Sequence, residues 1–398
     1  SGADGGELSL TGPAFQIGGR SSDTRIKLLD PSFFSQGGFA DFELSGFGLS
    51  YGAGGFTPGV KISPGTTIRP KVTGWLGLPT GGPDGGLQLA RYTRPEGQRP
   101  AASLAFNALG AKDPFNSIPI IRGDVVLGAN AAIETDAGGE VSFDGNSVTL
   151  LGSVTTPGGA ISIKGANTFP SATPSLLAPL ATVFIGSRAV LDASAEAVIY
   201  SDAMGRRTGT IHAGGSVSAS GNIIAEKGAR IDVSGTTGQL DLSASYAGIN
   251  SRPEIGTGGL EYQSVRFDTN GGSIAFNGSE MLYTAATLAG RAGGSSAIGG
   301  TLSFGSGNFH PGGTAFTSAD ADLFVTQATS PLAGAASPLG IGLALRRPGG
   351  TYLPGGGHLT VASFAGGGFD SLGLDGNVSF SGQVSITMPG RLTVSTSG

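Results

Sequence analysis

A short pattern of alternating apolar and small polar residues, usually placed after a glycine corner, recurs along this chain. Strict alternation is typical of a strand with one buried face, and its return after glycine corners is typical of short strands stacked in a coil. The pattern therefore predicts an all-β fold, a parallel β-helix. The nine stretches that carry it are 138–143, 158–163, 214–219, 271–276, 299–304, 356–361, 376–380, 383–386 and 391–394.

The clearest repeat lies between Gly138 and Gly158, where the pattern returns after 20 residues. The segments 147–150 and 153–156 lie between these marks, which predicts rungs of about 20 residues with three short strands each. Because alternate side chains of a strand point to opposite faces, the apolar members should stack in buried columns. The predicted column residues are Val141, Phe143, Ile161, Ile163, Ile274, Phe276, Leu302, Phe304, Val378 and Phe380.

Charged residues are sparse, at 13% of the 398 residues with a net charge of −5. This balance lacks the basic patch that nucleic-acid binding requires. No apolar run approaches the roughly 20 residues of a membrane span. The chain has no cysteine, which fits export through an oxidising compartment. The start carries no export signal and the last strand has no capping helix, so we expect a segment of a longer chain.

Stretches rich in proline or turn residues interrupt the strand pattern, and proline is excluded from the interior of sheets. We expect these stretches to leave the helix as loops, and binding residues concentrate on loops. The predicted regions are an irregular β-helix portion at 1–121 with an excursion at 53–120, a regular β-helix at 122–304 with excursions at 168–182 and 236–268, a long insertion at 305–355, and uncapped rungs at 356–398.

Two rung motifs, at 186–194 and 228–235, resemble those of filamentous haemagglutinin-like exoproteins of bacterial two-partner secretion. The segments 321–327, 368–374 and 377–386 are similar to an arrangement in very large members of that family. The resemblance covers most of 122–398 and implies a right-handed parallel β-helix, secreted or displayed on the bacterial surface through an outer-membrane transporter. The amino-terminal secretion domain of the family, with its asparagine-proline signatures, is missing from this sequence.

The tripeptide Arg122-Gly123-Asp124 is the one candidate receptor-binding sequence, because the same tripeptide is recognised by integrins. It precedes an apolar strand, so it is expected on an exposed corner with the arginine and the aspartate pointing outward.

Sequence signs of catalysis or metal binding are weak. Arg25-Ile26-Lys27 matches a tripeptide of polygalacturonases but lacks the aspartates and the Gly-His-Gly motif that precede it there, so we expect an exposed strand edge. The histidines His212, His310 and His358 stand far apart at glycine or proline corners, whereas a metal site needs convergent ligands. We expect solvated histidines, no cofactor and no enzymatic activity.

The sequence thus favours a structural shaft of an adhesin that attaches to a surface glycan or protein receptor, or that presents a distal tip. Two alternatives stay open. One is a filament subunit that polymerises end to end through open strand edges, and the other is a polysaccharide-active β-helix enzyme, which would gather three or more carboxylates on one face.

Overall fold

The computed structural model describes residues 5–50, 55–79, 86–114, 119–169, 178–243, 262–309, 319–328, 339–346, 352–353 and 355–395. Within these ranges the fold is all-β, and the helical residues lie in two short 3₁₀ helices, Pro31–Ser35 and Val361–Ser363.

The strands are numbered in chain order. The first thirteen are β1 (Gly6–Gly12), β2 (Ala14–Ile17), β3 (Ile26–Leu29), β4 (Phe39–Gly46), β5 (Leu49–Ser50), β6 (Phe56–Thr57), β7 (Val60–Ile62), β8 (Thr67–Ile68), β9 (Gly74–Pro79), β10 (Leu87–Tyr92), β11 (Ser103–Ala108), β12 (Ala111–Lys112) and β13 (Pro119–Ile121). The next fourteen are β14 (Asp124–Leu127), β15 (Ala132–Glu134), β16 (Glu140–Gly145), β17 (Ser147–Leu150), β18 (Ser153–Thr155), β19 (Ala160–Lys164), β20 (Val183–Ile185), β21 (Val190–Asp192), β22 (Ala197–Ser201), β23 (Arg207–Ile211), β24 (Ser216–Ala225), β25 (Arg230–Asp232), β26 (Thr237–Ser243) and β27 (Tyr262–Asp268). The last ten are β28 (Ser273–Thr284), β29 (Thr287–Ala289), β30 (Thr301–Ser306), β31 (Asn308–Phe309), β32 (Ala319–Asp320), β33 (Leu323–Thr326), β34 (Gly356–Thr360), β35 (Ser371–Asp375), β36 (Val378–Phe380) and β37 (Arg391–Ser395).

Ten parallel strands form the first group, here called set A. They are β1, β4, β11, β16, β19, the first part of β24, the first part of β28, β30, β35 and β37. Their pairing places one apolar residue of each strand beside the next: Leu8, Phe42, Leu104, Val141, Ile161, Val217, Ile274, Leu302, Leu372 and Leu392. This column shows that the alternating stretches pair with one another in a common register.

Two further groups run beside set A. Set B contains β3, β2, β7, β14, β17, β20, the last parts of β24 and β28, β34, β33 and β36, in this spatial order. Set C contains β8, β15, β18, β21, β25 and β29. All of these pairings are parallel. Consecutive strands of the chain enter sets A, B and C in turn. For example, β16, β17 and β18 lie in sets A, B and C, and the next three strands, β19, β20 and β21, again lie in sets A, B and C.

Glycine is required where the chain turns from set C back to set A. A Cβ atom added to Gly159 would lie 1.9 Å from the carbonyl oxygen of Gly139, the equivalent residue of the preceding layer. Successive layers therefore approach each other too closely at this corner for any side chain. This close approach explains why the strand pattern follows a glycine pair.

The inward faces of the three sets enclose one continuous apolar core that extends from Phe15 to Leu374. Aromatic rings contact each other between layers, with ring centroids 5.6 Å apart for Phe106 and Phe143 and 5.9 Å apart for Phe276 and Phe304. Burial of each such side chain contributes roughly 1.5–3 kcal/mol to folding. The columns are therefore the main source of stability in the stack.

Eight of the ten predicted column residues are buried, and the two on β36 differ. Val378 is half-buried, and Phe380 is 49% exposed although it lies beside buried Val325. The expectation of a buried Phe380 is wrong because β36 is the last described strand of set B and pairs on one side with β33 alone. The predicted strand at 383–386 is also wrong, since these residues form no regular strand.

Spatial order and chain order differ in two places within set B. The strand β34 lies between β28 and β33, although β33 precedes β34 in the chain. At the other end, β3 pairs on the outer edge of β2, away from β7. Local alternation contains no information on such exchanges, because it does not specify which layer a strand joins.

Several antiparallel pairs lie outside the three sets. The longest are β9 with β10, β22 with β23, and β26 with β27. The pair at 197–211 lies within the predicted regular β-helix 122–304, outside the excursions predicted at 168–182 and 236–268. Arg207 joins two of these hairpins, since its guanidinium donates to Asp241 at 2.8 Å (Nη2 to Oδ1). The β9–β10 hairpin, here called the 74–92 hairpin, has no such brace among its described residues.

Candidate ligand-binding site

A depression of about 540 Å³ lies at the base of the 74–92 hairpin. The hairpin leaves the stack after β8 and returns before β11, within the predicted excursion at 53–120. The described residues that line the depression are Gly5, Gly6, Gly37, Gly38, Val72, Thr73, Gly74, Trp75, Leu76, Tyr92, Arg94, Arg99 and Pro100. They include two arginines and two large aromatic residues, and no carboxylate.

Glycines line one side of the depression. Gly37 and Gly38 have φ angles of 78° and 76°, in the left-handed region that favours glycine. A Cβ atom on Gly38 would lie 2.6 Å from the carbonyl oxygen of Thr73, and one on Gly37 would lie 2.4 Å from the Phe39 ring. Neighbouring atoms therefore fill the space beside these two glycines, and a larger residue would not fit at either position.

The other side of the depression is aromatic. Tyr92 pairs with Gly74 and Trp75 pairs with Arg91, so the two aromatic side chains point to opposite faces of the hairpin. Both are exposed, and Trp75, the single tryptophan of the chain, is 61% exposed. The Arg91 guanidinium carbon lies 5.9 Å from the Trp75 ring centroid. Within the described part of the chain, the side-chain polar groups of Trp75, Tyr92 and Arg94 make no hydrogen bond. These groups are therefore available to a ligand.

Arg99 has a structural role at this site. Its Nε and Nη2 atoms lie 2.6 and 2.5 Å from the two carboxylate oxygens of Asp136, and Nη1 donates to the Arg94 carbonyl oxygen at 2.5 Å. Both partners of the ion pair are almost completely buried. The pair neutralises Arg99 and fixes the 93–100 segment to the stack, so the exposed Arg94 supplies the uncompensated positive charge of the lining.

Three carboxylates gather behind this segment. Burial, with smaller contributions from the charges of Glu96 and Asp136, raises the pKa of the Glu196 carboxyl. Asp136 is held by Arg99, and Glu96 accepts a hydrogen bond from the Ala137 backbone N–H at 2.9 Å. A retaining or inverting glycosidase needs two carboxyl groups that are free to act. Here two of the three are engaged in structural contacts.

A second, smaller depression of about 230 Å³ lies on the outer side of set A. Acidic residues of the first layers line it together with serines and alanines, among them Glu7, Asp41, Glu43 and Glu140. Glu43 is already bonded, since its Oε1 accepts from Asn107 Nδ2 at 2.8 Å. Among the described residues, no group of three or more histidine or acidic side chains is arranged to hold a metal ion.

The candidate tripeptide Arg122-Gly123-Asp124 does not form an exposed receptor loop. Arg122 Nε donates to Asp124 Oδ1 at 2.7 Å, and Ser147 Oγ donates to the same oxygen at 2.6 Å. The Asp124 side chain is 7% exposed, and the Arg122 guanidinium lies over the Phe169 ring, 5.3 Å from its centroid. The predicted outward orientation is wrong because Asp124 begins β14 and pairs within the stack.

The histidines and the Arg25-Ile26-Lys27 segment lie in different environments. His358 is not a solvated corner residue: it lies on β34 between the rings of Tyr283 and Phe324, and burial lowers its pKa. His212 is half-buried, and His310 lies outside the described residues. Arg25 donates to Asp23, and the following residues begin the edge strand β3.

Comparisons with protein-family models, curated proteins and solved structures find no match to this chain. In the described ranges, no helix is long and apolar enough to cross a bilayer. The site is therefore defined by its own geometry. Its one signal in the sequence was the lone tryptophan within the proline-rich excursion, since the facing arginine and the glycine floor come together only in the folded chain.

Proposed function

We propose that this chain is a rigid scaffold, a right-handed parallel β-helix that forms part of the shaft of a filamentous haemagglutinin-like adhesin. Its task is to hold lateral binding segments at fixed positions along the stack. We further propose that it is secreted or displayed on the bacterial surface through an outer-membrane transporter, as the resemblance of the rung motifs implies.

The observation that carries the proposal is the continuous ten-strand column of set A. In five of its nine pairings an antiparallel hairpin lies between the two strands in the chain, yet inward residues meet inward residues. Repeat folds of this kind add stability layer by layer, because each unit contacts its neighbours. Lateral segments can then vary without disturbing the core, which suits a scaffold that presents them.

Paired cysteines test the stacked architecture, because the chain has no cysteine of its own. The hydroxyl oxygens of Ser162 and Ser218 lie 3.5 Å apart on neighbouring layers. We expect the double variant Ser162→Cys, Ser218→Cys to form a disulfide under mild oxidation. The control pair Ser162→Cys, Ser303→Cys spans three layers, roughly 14 Å, and should stay reduced. Equal cross-linking of the two pairs would contradict the stacked order.

The adhesin role is tested with a panel of acidic and neutral polysaccharides, on which retention of the protein and release of reducing ends are measured together. We expect retention without release. Release at a catalytic rate would instead support the enzyme alternative and direct attention to Glu196. Absence of both signals would contradict a glycan-binding adhesin.

One observation favours self-association as a second candidate. The inward side chains Leu392 and Val394 of β37 are half exposed, as is Phe380 of β36. Such an apolar layer can accept a further layer, either from continued chain or from another copy. Sedimentation velocity between 1 and 100 μM would detect growing species, whereas a constant sedimentation coefficient would rule out assembly through this layer.

A further inference from the structure

The depression at the base of the 74–92 hairpin has the size and composition of a ligand site. Its volume of about 540 Å³ lies within the range of ligand pockets, roughly 300–1,000 Å³. Such pockets combine apolar walls with a few polar groups that orient the ligand. Here Tyr92 and Leu76, which lie on one face of the hairpin, supply the apolar wall, and Arg94 supplies an exposed cation.

The aromatic wall indicates a ligand with flat apolar faces and polar edges. Tyr92 is 47% exposed and Leu76 is 49% exposed, so much of their apolar surface lies in water, where it gains nothing from burial. A pyranose ring presents axial C–H groups that pack on an aromatic ring, while its hydroxyl groups stay at the edge.

The charge of the lining indicates an acidic ligand. Arg99 is already neutralised by Asp136, whereas the Arg94 guanidinium has no hydrogen-bond partner within the described part of the chain. A guanidinium binds a carboxylate through two parallel hydrogen bonds, which a neutral hydroxyl cannot reproduce.

We propose that this depression binds an acidic oligosaccharide, with Tyr92 packed on a sugar ring and Arg94 bound to a uronate carboxylate. The proposal deepens the adhesin role above and rests on it for its biological meaning. A failure to bind at this depression would nevertheless leave the scaffold proposal, and retention of the protein on polysaccharides through another surface, unaffected.

Trp75 provides a direct probe, because it is the single tryptophan of the chain. Titration with oligogalacturonate should change its fluorescence saturably. Neutral galactose oligomers should bind at least tenfold more weakly, since they lack the charge-assisted hydrogen bonds. No fluorescence change up to millimolar oligogalacturonate, or equal affinity for the neutral oligomers, would overturn the proposal.

Variants locate the contacts by calorimetry. Arg94→Ala should weaken oligogalacturonate binding about tenfold or more and leave the weak binding of neutral oligomers unchanged, whereas Arg188→Ala, an exposed arginine elsewhere on the stack, should change neither. Tyr92→Ala should remove binding of both classes of oligomer. An equal loss from Arg94→Ala and Arg188→Ala would assign the effect to general charge, and would overturn the site.

Two further ligands test which chemical group the depression recognises. If a sulfated oligosaccharide binds as tightly as oligogalacturonate, the site accepts sulfate as well as carboxylate, which would contradict the uronate assignment. Poly-glutamate has the carboxylates without the rings. Equal binding of poly-glutamate would contradict the saccharide class and indicate a general carboxylate site.

Discussion

The layered core and the 74–92 hairpin are both made of β-strands with apolar side chains, yet they use those side chains differently. In β16 and β19 the apolar residues alternate with polar ones and lie buried in columns. In β9 and β10 nearly every residue is exposed, including Trp75, and Leu89 is 67% exposed. The chain therefore contains apolar residues that stabilise the fold and others that do not.

The exposed apolar side chains of the hairpin indicate where contact with other molecules is to be expected. Large apolar side chains left in water gain free energy when a ligand covers them, and clusters of them mark interaction sites. The hairpins β22–β23 and β26–β27 brace each other through Arg207 and Asp241. Among the described residues of the 74–92 hairpin, no side chain forms a salt bridge with a neighbouring hairpin, and the depression lies at its base.

The free energy of unfolding should distinguish the layered core from the 74–92 hairpin most strongly. Phe276→Ala removes a fully buried ring that packs on Phe304, and should lower the free energy of unfolding by about 3–5 kcal/mol. Leu89→Ala on the hairpin should change it by about 0.5 kcal/mol or less. Urea denaturation measures both. Similar losses of stability in the two variants would contradict this distinction, since the hairpin would then contribute to the core.

The buried ion pair at the start of β14 should have the next largest effect. Asp124→Ala leaves Arg122 and Ser147 without their acceptor and should cost about 2–3 kcal/mol, because Arg122 retains some contact with water. The matched control is Asp144→Ala, which breaks the exposed pair with Lys164 and should cost at most about 1 kcal/mol. A loss for Asp124→Ala no greater than for the control would show that the tripeptide is not part of the stack.

A smaller effect concerns His358, on the outer side of set B. Burial lowers its pKa below the ordinary 6.5, and its Nδ1 is buried with no hydrogen-bond partner among the described residues. Because the unfolded chain takes up the proton first, stability should be complete above pH 6.5 and fall as the pH drops below it. Between pH 8 and pH 5 the melting temperature should fall less for His358→Phe than for the unchanged protein. An equal fall in both proteins would mean that this ring is solvated.

The smallest expected effect concerns Glu196, next to the segment that carries the depression. Its pKa is raised above the ordinary 4.5, so the folded protein holds the proton more tightly than the unfolded chain. This carboxyl therefore destabilises the fold at neutral pH and ceases to do so as the pH falls through the raised value toward 4.5. Glu196→Gln should raise the melting temperature slightly at pH 7 and leave it unchanged near pH 4. An unchanged melting temperature at pH 7 would place the carboxyl in water.

The local sequence was sufficient to predict side-chain burial in strands that pair with another strand on both sides. Val141, Ile161, Ile274 and Leu302 were predicted to be buried because their period of two matches a strand with one inward face, and they are buried. The same reasoning failed for Phe380, since an edge strand exposes residues that an inner strand would cover. It also failed for Asp124, because short polar side chains show no periodicity that reveals whether they lie inside or outside.

The recurrence of short strands with one buried face at glycine corners could be read from the amino-acid sequence, because alternation and the small size of glycine are properties of the local chain. The pairing of the strands, including the place of β34 between β28 and β33, was established by the folded chain. It also brought Trp75, Arg94 and Gly38 around one depression. Both the strand pairing and the grouping of residues around the depression depend on contacts between residues far apart in the chain. Those contacts form when unpaired strand edges and apolar surface are buried together.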